Sequence, residues 1–94
     1  MTISLNTRVV APPDVLIRDL DGEAVLLNLN TESYLGLDEV GTRMWHVLTT
    51  SESIQAAYEI LLDEYEVEGD RLRQDLIGLV EQLATYGLVE LSND

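Results

Sequence analysis

Short apolar runs separated by polar turns fill the first part of the chain, and apolar residues at helical spacing fill the rest. Val15-Leu16-Ile17-Arg18-Asp19-Leu20 is apolar and β-branched. Asp21-Gly22 then gives a strong hairpin signal, and Glu23-Ala24-Val25-Leu26-Leu27-Asn28-Leu29 resumes the apolar run, so the two runs should pair antiparallel. A polar turn at Asn30-Thr31-Glu32 leads into Ser33-Tyr34-Leu35-Gly36-Leu37, short enough for a third strand at the sheet edge. Upstream, Pro12-Pro13 interrupts regular structure, and Ile3 to Val10 reads as an extended arm or a minor extra strand without an assigned place.

The period then changes. Asp38 is a good N-cap and Glu39 suits a first helical turn, after which Val40, Met44, Trp45 and Leu48 recur on one stripe, predicting a helix from about Asp38 to Thr49. With Ser51 as its cap, a second helix places Ile54, Ala57, Tyr58, Leu61, Leu62 and Tyr65 on one face. Gly69-Asp70 opens a third, with Leu72, Leu76, Leu79, Val80 and Leu83 aligned and Gly87 just past its end. Leu88 to Leu91 adds a short strand or covers the core. Strands followed by helices predict an α+β domain, winged-helix-like, in which three helices cover one face of a three-stranded antiparallel sheet. The expected division is an arm over 1–12 and one domain over 13–94.

Composition narrows the function. Hydrophobic residues at 46% and charged residues at 24% suit a globular chain, and 94 residues suit one core. Eighteen acids stand against five Arg and no Lys, a formal charge of −13 that repels nucleic acid and anionic membranes and favours basic or neutral partners. The start, Met1 to Leu5, lacks a basic and apolar export signal, and no stretch approaches the ~20 apolar residues of a membrane span, so a cytoplasmic protein is expected.

Chemistry is sparse. There is no Cys for a nucleophile or a thiolate site, and the single histidine, His46, has no second His to build a triad or a metal centre. Glu59, Asp63, Glu64, Glu66, Glu68 and Asp70 cluster around the second helix, which reads as a solvated acidic face rather than an acid/base pair. No phosphate-binding glycine motif or lysine occurs, and Arg71 and Arg73 on the third helix are outnumbered by nearby acids, which argues against a DNA-reading helix. No catalytic residue, metal or cofactor is expected.

The stretch Val25 to Trp45, VLLNLNTESYLGLDEVGTRMW, resembles the PqqD family, where such a run crosses from the second strand through the third into the first helix. The resemblance covers roughly Pro13 to Leu91, and within the family the chain looks most like the stand-alone recognition proteins of lasso-peptide clusters, which work beside a separate leader protease. It implies a non-catalytic adaptor: the leader of a ribosomal precursor adds as a strand to the third strand, with the third helix as the opposite wall. On that basis Ser33, Tyr34, Leu35, Gly36 and Leu37 form the expected binding edge, and Arg73, Leu76, Ile77, Val80 and Ala84 the expected wall.

The residues agree on one point, since an edge strand is a template for strand addition. At helical steps of about 100°, Ile77 and Ala84 widen the apolar arc of the third helix past its Leu76–Leu83 stripe. The alternative is that this arc packs on the first helix or the tail. Strand pairing groups Tyr34 and Gly36 with Val25, Leu27 and Leu29, and Leu35 and Leu37 with Leu26 and Asn28; one set is core and the other partly exposed. A generic acidic interaction module and a DNA-binding winged helix remain as other readings.

Overall fold

The computed structural model describes residues 3–92; Met1 and Thr2, at the start of the expected arm and of the export-signal reading, and Asn93 and Asp94 lie outside the described residues. Strands β2 (Val15–Leu20) and β3 (Glu23–Asn28) pair antiparallel from Val15 opposite Asn28 to Leu20 opposite Glu23. Their two-residue turn, Asp21-Gly22, has φ of 54° and 87°, the left-handed conformations whose twist matches that of the flanking strands. Strand β4 (Tyr34–Gly36) adds to the other side of β3 with Leu35 opposite Leu26, giving the sheet order β2-β3-β4.

Three helices cover one face of this sheet: α1 (Glu39–Thr50), α2 (Ile54–Glu64) and α3 (Gly69–Thr85). Asp38 caps α1 by accepting from the Gly41 N–H at 2.7 Å. Ser53, not Ser51, caps α2, accepting from the Ala56 N–H at 3.1 Å. The Ser51 hydroxyl instead donates to the Val47 carbonyl at 2.6 Å and finishes α1. Past α3, Gly87 takes φ of 69°, its N–H reaching the Ala84 carbonyl and the Leu88 N–H the Leu83 carbonyl, the double bond of a Schellman ending.

The sheet's inner face resolves the two sets left open by strand pairing. Ala24, Leu26, Asn28 and Leu37 are buried there, whereas Val25, Leu29 and Tyr34 face outward and are exposed. Met44, Trp45, Val47 and Leu48 of α1, Ile54, Ala57, Tyr58 and Leu61 of α2, and Leu72, Leu76, Val80 and Leu83 of α3 complete the core. Each fully buried large apolar side chain contributes roughly 1.5–3 kcal/mol. Val40 and Leu62, expected on the buried stripes of their helices, are exposed, because Val40 stands in the first turn of α1 beyond the core and Leu62 on the flank of α2.

Two polar side chains fix the sheet to the helices. Buried Thr42 accepts from the Ala24 N–H at 2.9 Å and donates to the Leu37 carbonyl at 3.3 Å, holding α1 to the start of β3 and the end of β4. Asn28 accepts from the N–H groups of Asn30 and Thr31 through Oδ1 and donates through Nδ2 to the Gly87 carbonyl at 2.7 Å, holding the β3–β4 turn to the end of α3. On the surface, Arg43 of α1 pairs with Glu64 of α2, and this hydrogen bond lowers the Glu64 pKa and raises that of Arg43. The Glu64 pKa being depressed, the tie is fully present above the ordinary carboxylate range and is lost as pH falls through the lowered Glu64 value.

The unplaced ends pair with each other: β1 (Arg8–Val10) lies antiparallel to β5 (Glu90–Ser92), with Val9 opposite Leu91. The arm also satisfies the start of α2, where the carbonyls of Thr7 and Leu5 accept from the N–H groups of Ile54 and Gln55 at 2.8 and 2.9 Å. Among the described residues no helix is long and apolar enough to cross a membrane.

Candidate functional site

Hydrogen bonding across an antiparallel pair alternates, so half of an edge strand's polar groups turn outward. The Asn28 N–H bonds the Ser33 carbonyl at 2.8 Å and the Leu37 N–H bonds the Ala24 carbonyl at 2.7 Å, which assigns Ser33, Leu35 and Leu37 to β3. Tyr34 and Gly36 therefore present their N–H and C=O groups on the free side of β4. Within the expected edge Ser33 to Leu37, these two residues are the ones able to receive another strand. Gly36 adds clearance, since a Cβ built there meets nothing within 4 Å.

The chain on either side of β4 meets the two ends of α3. Asn28, which pairs with Ser33 before β4, touches Gly87 at the C-terminal end of α3. Past β4 the chain enters α1, where Val40 and Met44 line a cavity of about 140 Å³ together with Tyr65, Val67 and, from the N-terminal part of α3, Arg71, Leu72 and Asp75. Asn28 and this cavity thus mark the two ends of α3, and the flank that opens on the cavity carries Arg71, Asp75 and, one turn on, Leu79. Leu79 is partly buried against the core.

The expected wall does not gather on that flank. Leu76 and Val80 are fully buried core residues. The guanidinium of Arg73 lies 5.3 Å from the ring centre of Tyr58 on α2 and 3.5 Å from the carboxylate of Asp70. Ala84 lines a hollow with Ile3 of the arm and Leu91 of β5. Ile77, between Arg73 and Ala84 on the helix surface, shares their flank and packs partly against the core. The structure brings Arg73, Ile77 and Ala84 together on the flank turned to α2 and the arm, the opposite side of the core stripe from Arg71, Asp75 and Leu79. Of the two alternatives for the wide apolar arc, the tail is met at Ala84, which shares its hollow with Leu91, while Ile77 and Ala84 both pack against the core cluster.

Val40, Met44 and Leu79, all expected on the buried stripes of their helices, are exposed, buried and partly buried respectively, and Val40 and Met44 also line the cavity beside α3. Asn28 was visible as a polar residue in the buried phase of β3. His46 of α1 lies 3.4 Å from the Asp19 carboxylate of β2, both half-exposed, a surface contact between helix and sheet. Among the described residues no group of three or more His, Cys, Asp or Glu side chains could hold a metal ion.

An open strand edge of this kind offers main-chain donors and acceptors to an extended peptide. Known proteins share the fold. The TbiB1 protein, whose structure was solved in complex with the TbiA(beta) leader peptide, superposes with a TM-score of 0.79 at 32% identity over 86% of this chain and 94% of that one. A lasso peptide synthetase B1 complexed with a leader peptide superposes with a TM-score of 0.78 over 88% of this chain and 98% of that one, and at 24% identity it shows the shared fold alone. No curated protein matches the sequence. Residues 23–89 match the model of the PqqD family, described as coenzyme PQQ synthesis protein D, and this span runs from β3 to the end of the Schellman turn; the chain belongs to the PqqD family.

Proposed function

We propose that this protein is a non-catalytic adaptor that binds the leader segment of a ribosomally made precursor by strand addition to β4. It presents the leader to a separate leader protease in modified-peptide, specifically lasso-peptide, biosynthesis in the cytoplasm. The observation that carries the reading is the open β4 edge, with the outward groups of Tyr34 and Gly36, in a PqqD-family chain similar to a protein solved with its leader. The binding surface then consists of Ser33 to Leu37 as one wall, with Val40, Met44, Leu72, Asp75 and Leu79 as the other.

Magnitudes assign the work. Tyr34 and Gly36 offer four outward polar groups, and at a net 0.5–1.5 kcal/mol each such bonds contribute about 2–6 kcal/mol. Micromolar affinity needs about 8 kcal/mol before the cost of ordering the peptide is met. Burial of leader side chains against Val40, Met44 and Leu79 must supply the difference, and this makes the interaction selective for sequence as well as extended shape.

Titration of a fluorescently labelled leader into the pure protein tests the proposal. The expected result is saturable binding at about micromolar concentration, lost at least about tenfold when proline replaces a leader residue that donates to β4. A leader that shows no binding at about 100 µM, or one indifferent to proline throughout, would overturn it.

A further inference from the structure

Strand β4 has three residues, and both of its ends lean on side chains from elsewhere. Among the described residues the buried polar ones are Thr7, Asn28 and Thr42, and the last two bracket β4. In this phase of an antiparallel ladder, opposed residues exchange two backbone bonds. Where Ala24 faces Leu37, one bond is direct, from the Leu37 N–H to the Ala24 carbonyl at 2.7 Å. Thr42 of α1 carries the other: the Ala24 N–H donates to its hydroxyl at 2.9 Å, and the hydroxyl donates onward to the Leu37 carbonyl at 3.3 Å. Where Asn28 faces Ser33, the Asn28 carbonyl is taken by the Glu32 N–H and the Ser33 N–H turns to the Thr31 hydroxyl. The Asn28 side chain organises this end instead. Its Oδ1 accepts from the Asn30 and Thr31 N–H groups at 2.8 and 3.2 Å, and its Nδ2 donates to the Gly87 carbonyl just past α3 at 2.7 Å. A Cβ on residue 87 would stand 2.9 Å from that Nδ2, so glycine permits the approach.

We propose that Asn28 and Thr42 are positioning residues for peptide capture, holding β4 extended before the leader arrives, an inference that rests on the adaptor reading above. Each acts through the backbone of β4 rather than on the leader itself. A strand this short, left to its own bonds, opens locally far more often than the domain unfolds. A peptide that adds to an edge must find that edge formed, and its apparent dissociation constant is the intrinsic one divided by the fraction of protein in the competent form. Anchoring one end of β4 on α1 and the other on the end of α3 keeps that fraction near one. The outward groups of Tyr34 and Gly36 are then already ordered when the leader meets them, which is how preorganisation raises affinity. The chemistry of the two side chains suits the task. A hydroxyl that both accepts and donates can bridge an N–H and a carbonyl, and a carboxamide can join turn amides at one atom to a distant carbonyl at the other.

The test measures labelled-leader affinity and amide hydrogen exchange on the full chain, at a temperature where circular dichroism shows each variant folded. Thr42→Val removes the hydroxyl at similar shape, and Asn28→Asp keeps the acceptors but loses the donor to Gly87; each should weaken leader binding at least about tenfold. In the free variants the amides of Leu35 and Leu37 should exchange at least about tenfold faster relative to amides of α2. Thr42→Ser, which keeps the hydroxyl, should bind within about threefold of the parent. Leu61→Ala, in the core of α2, is the control for stability: it should lower the melting temperature at least as far as Thr42→Val does, yet leave leader affinity within about twofold. Affinity that follows melting temperature across all these variants would reduce Asn28 and Thr42 to structural residues and overturn the proposal. So would folded Thr42→Val and Asn28→Asp proteins that bind leader as the parent does. Should Asn28→Asp fail to fold, the comparison of Thr42→Val with Thr42→Ser decides. If the parent does not bind leader at all, the adaptor reading fails separately, and exchange at Leu35 and Leu37 still decides whether these two side chains hold β4.

Discussion

The two flanks of α3 on either side of Leu76 differ both in composition and in what meets them. Arg73, Ile77 and Ala84 are met by Tyr58 of α2, Ile3 of the arm and Leu91 of β5. Arg71 and Asp75 line a cavity with Val40 and Met44 of α1, and Leu79 packs partly against the core. The first flank is the more apolar and is covered, whereas the second carries more charge and opens on a cavity. A ligand site needs both apolar surface and an unmet neighbour.

Substitutions along α3 break or sharpen this contrast. The largest effect belongs to neither flank: Leu76→Glu buries a charge in the core, and the protein should fail to fold cooperatively, as loss of the thermal unfolding transition will show. On the open side, Val40→Glu, at an exposed position in the groove, should leave the fold intact and weaken leader binding at least about 30-fold, roughly 2 kcal/mol, by fluorescence anisotropy. Across the helix, Ile77→Glu should lower the melting temperature through lost contact with the core but change leader affinity less than about threefold. Equal losses of affinity for Val40→Glu and Ile77→Glu would erase the distinction between the flanks.

The sequence carried those parts of the fold whose causes are local. Asp21-Gly22 demands a tight hairpin whatever surrounds it, Gly87 ends a helix by its own left-handed backbone, and the stripes of α2 and α3 repeat too regularly for another structure. The edge strand was legible for the same reason, since its shortness and its turn are written in Asn30 to Leu37. What was not legible depends on distant chain. Which flank of α3 is covered is decided by α2 and the arm, and the arm finds its place only by pairing β1 with β5 and by capping α2 with the carbonyls of Leu5 and Thr7. Ser51 and Ser53 are equally good caps by type; the first buried residue, Ile54, selects the nearer one.

A smaller effect concerns charge. With −13 on the protein, basic residues of the leader should add a long-range attraction that screens away, so affinity should fall severalfold between about 50 mM and 500 mM salt and then level off as burial in the groove persists. Affinity indifferent to salt would confine the acidic surface to a role in solubility.

The central claim, that a peptide joins β4 as a further strand, is tested most directly by amide hydrogen exchange along that strand with and without leader. The alternation of bonds predicts a specific pattern: the amides of Tyr34 and Gly36, open in the free protein, become protected when leader binds, while those of Leu35 and Leu37, already bonded to β3, change little. Leader that binds without protecting Tyr34 and Gly36 would contradict strand addition at this edge.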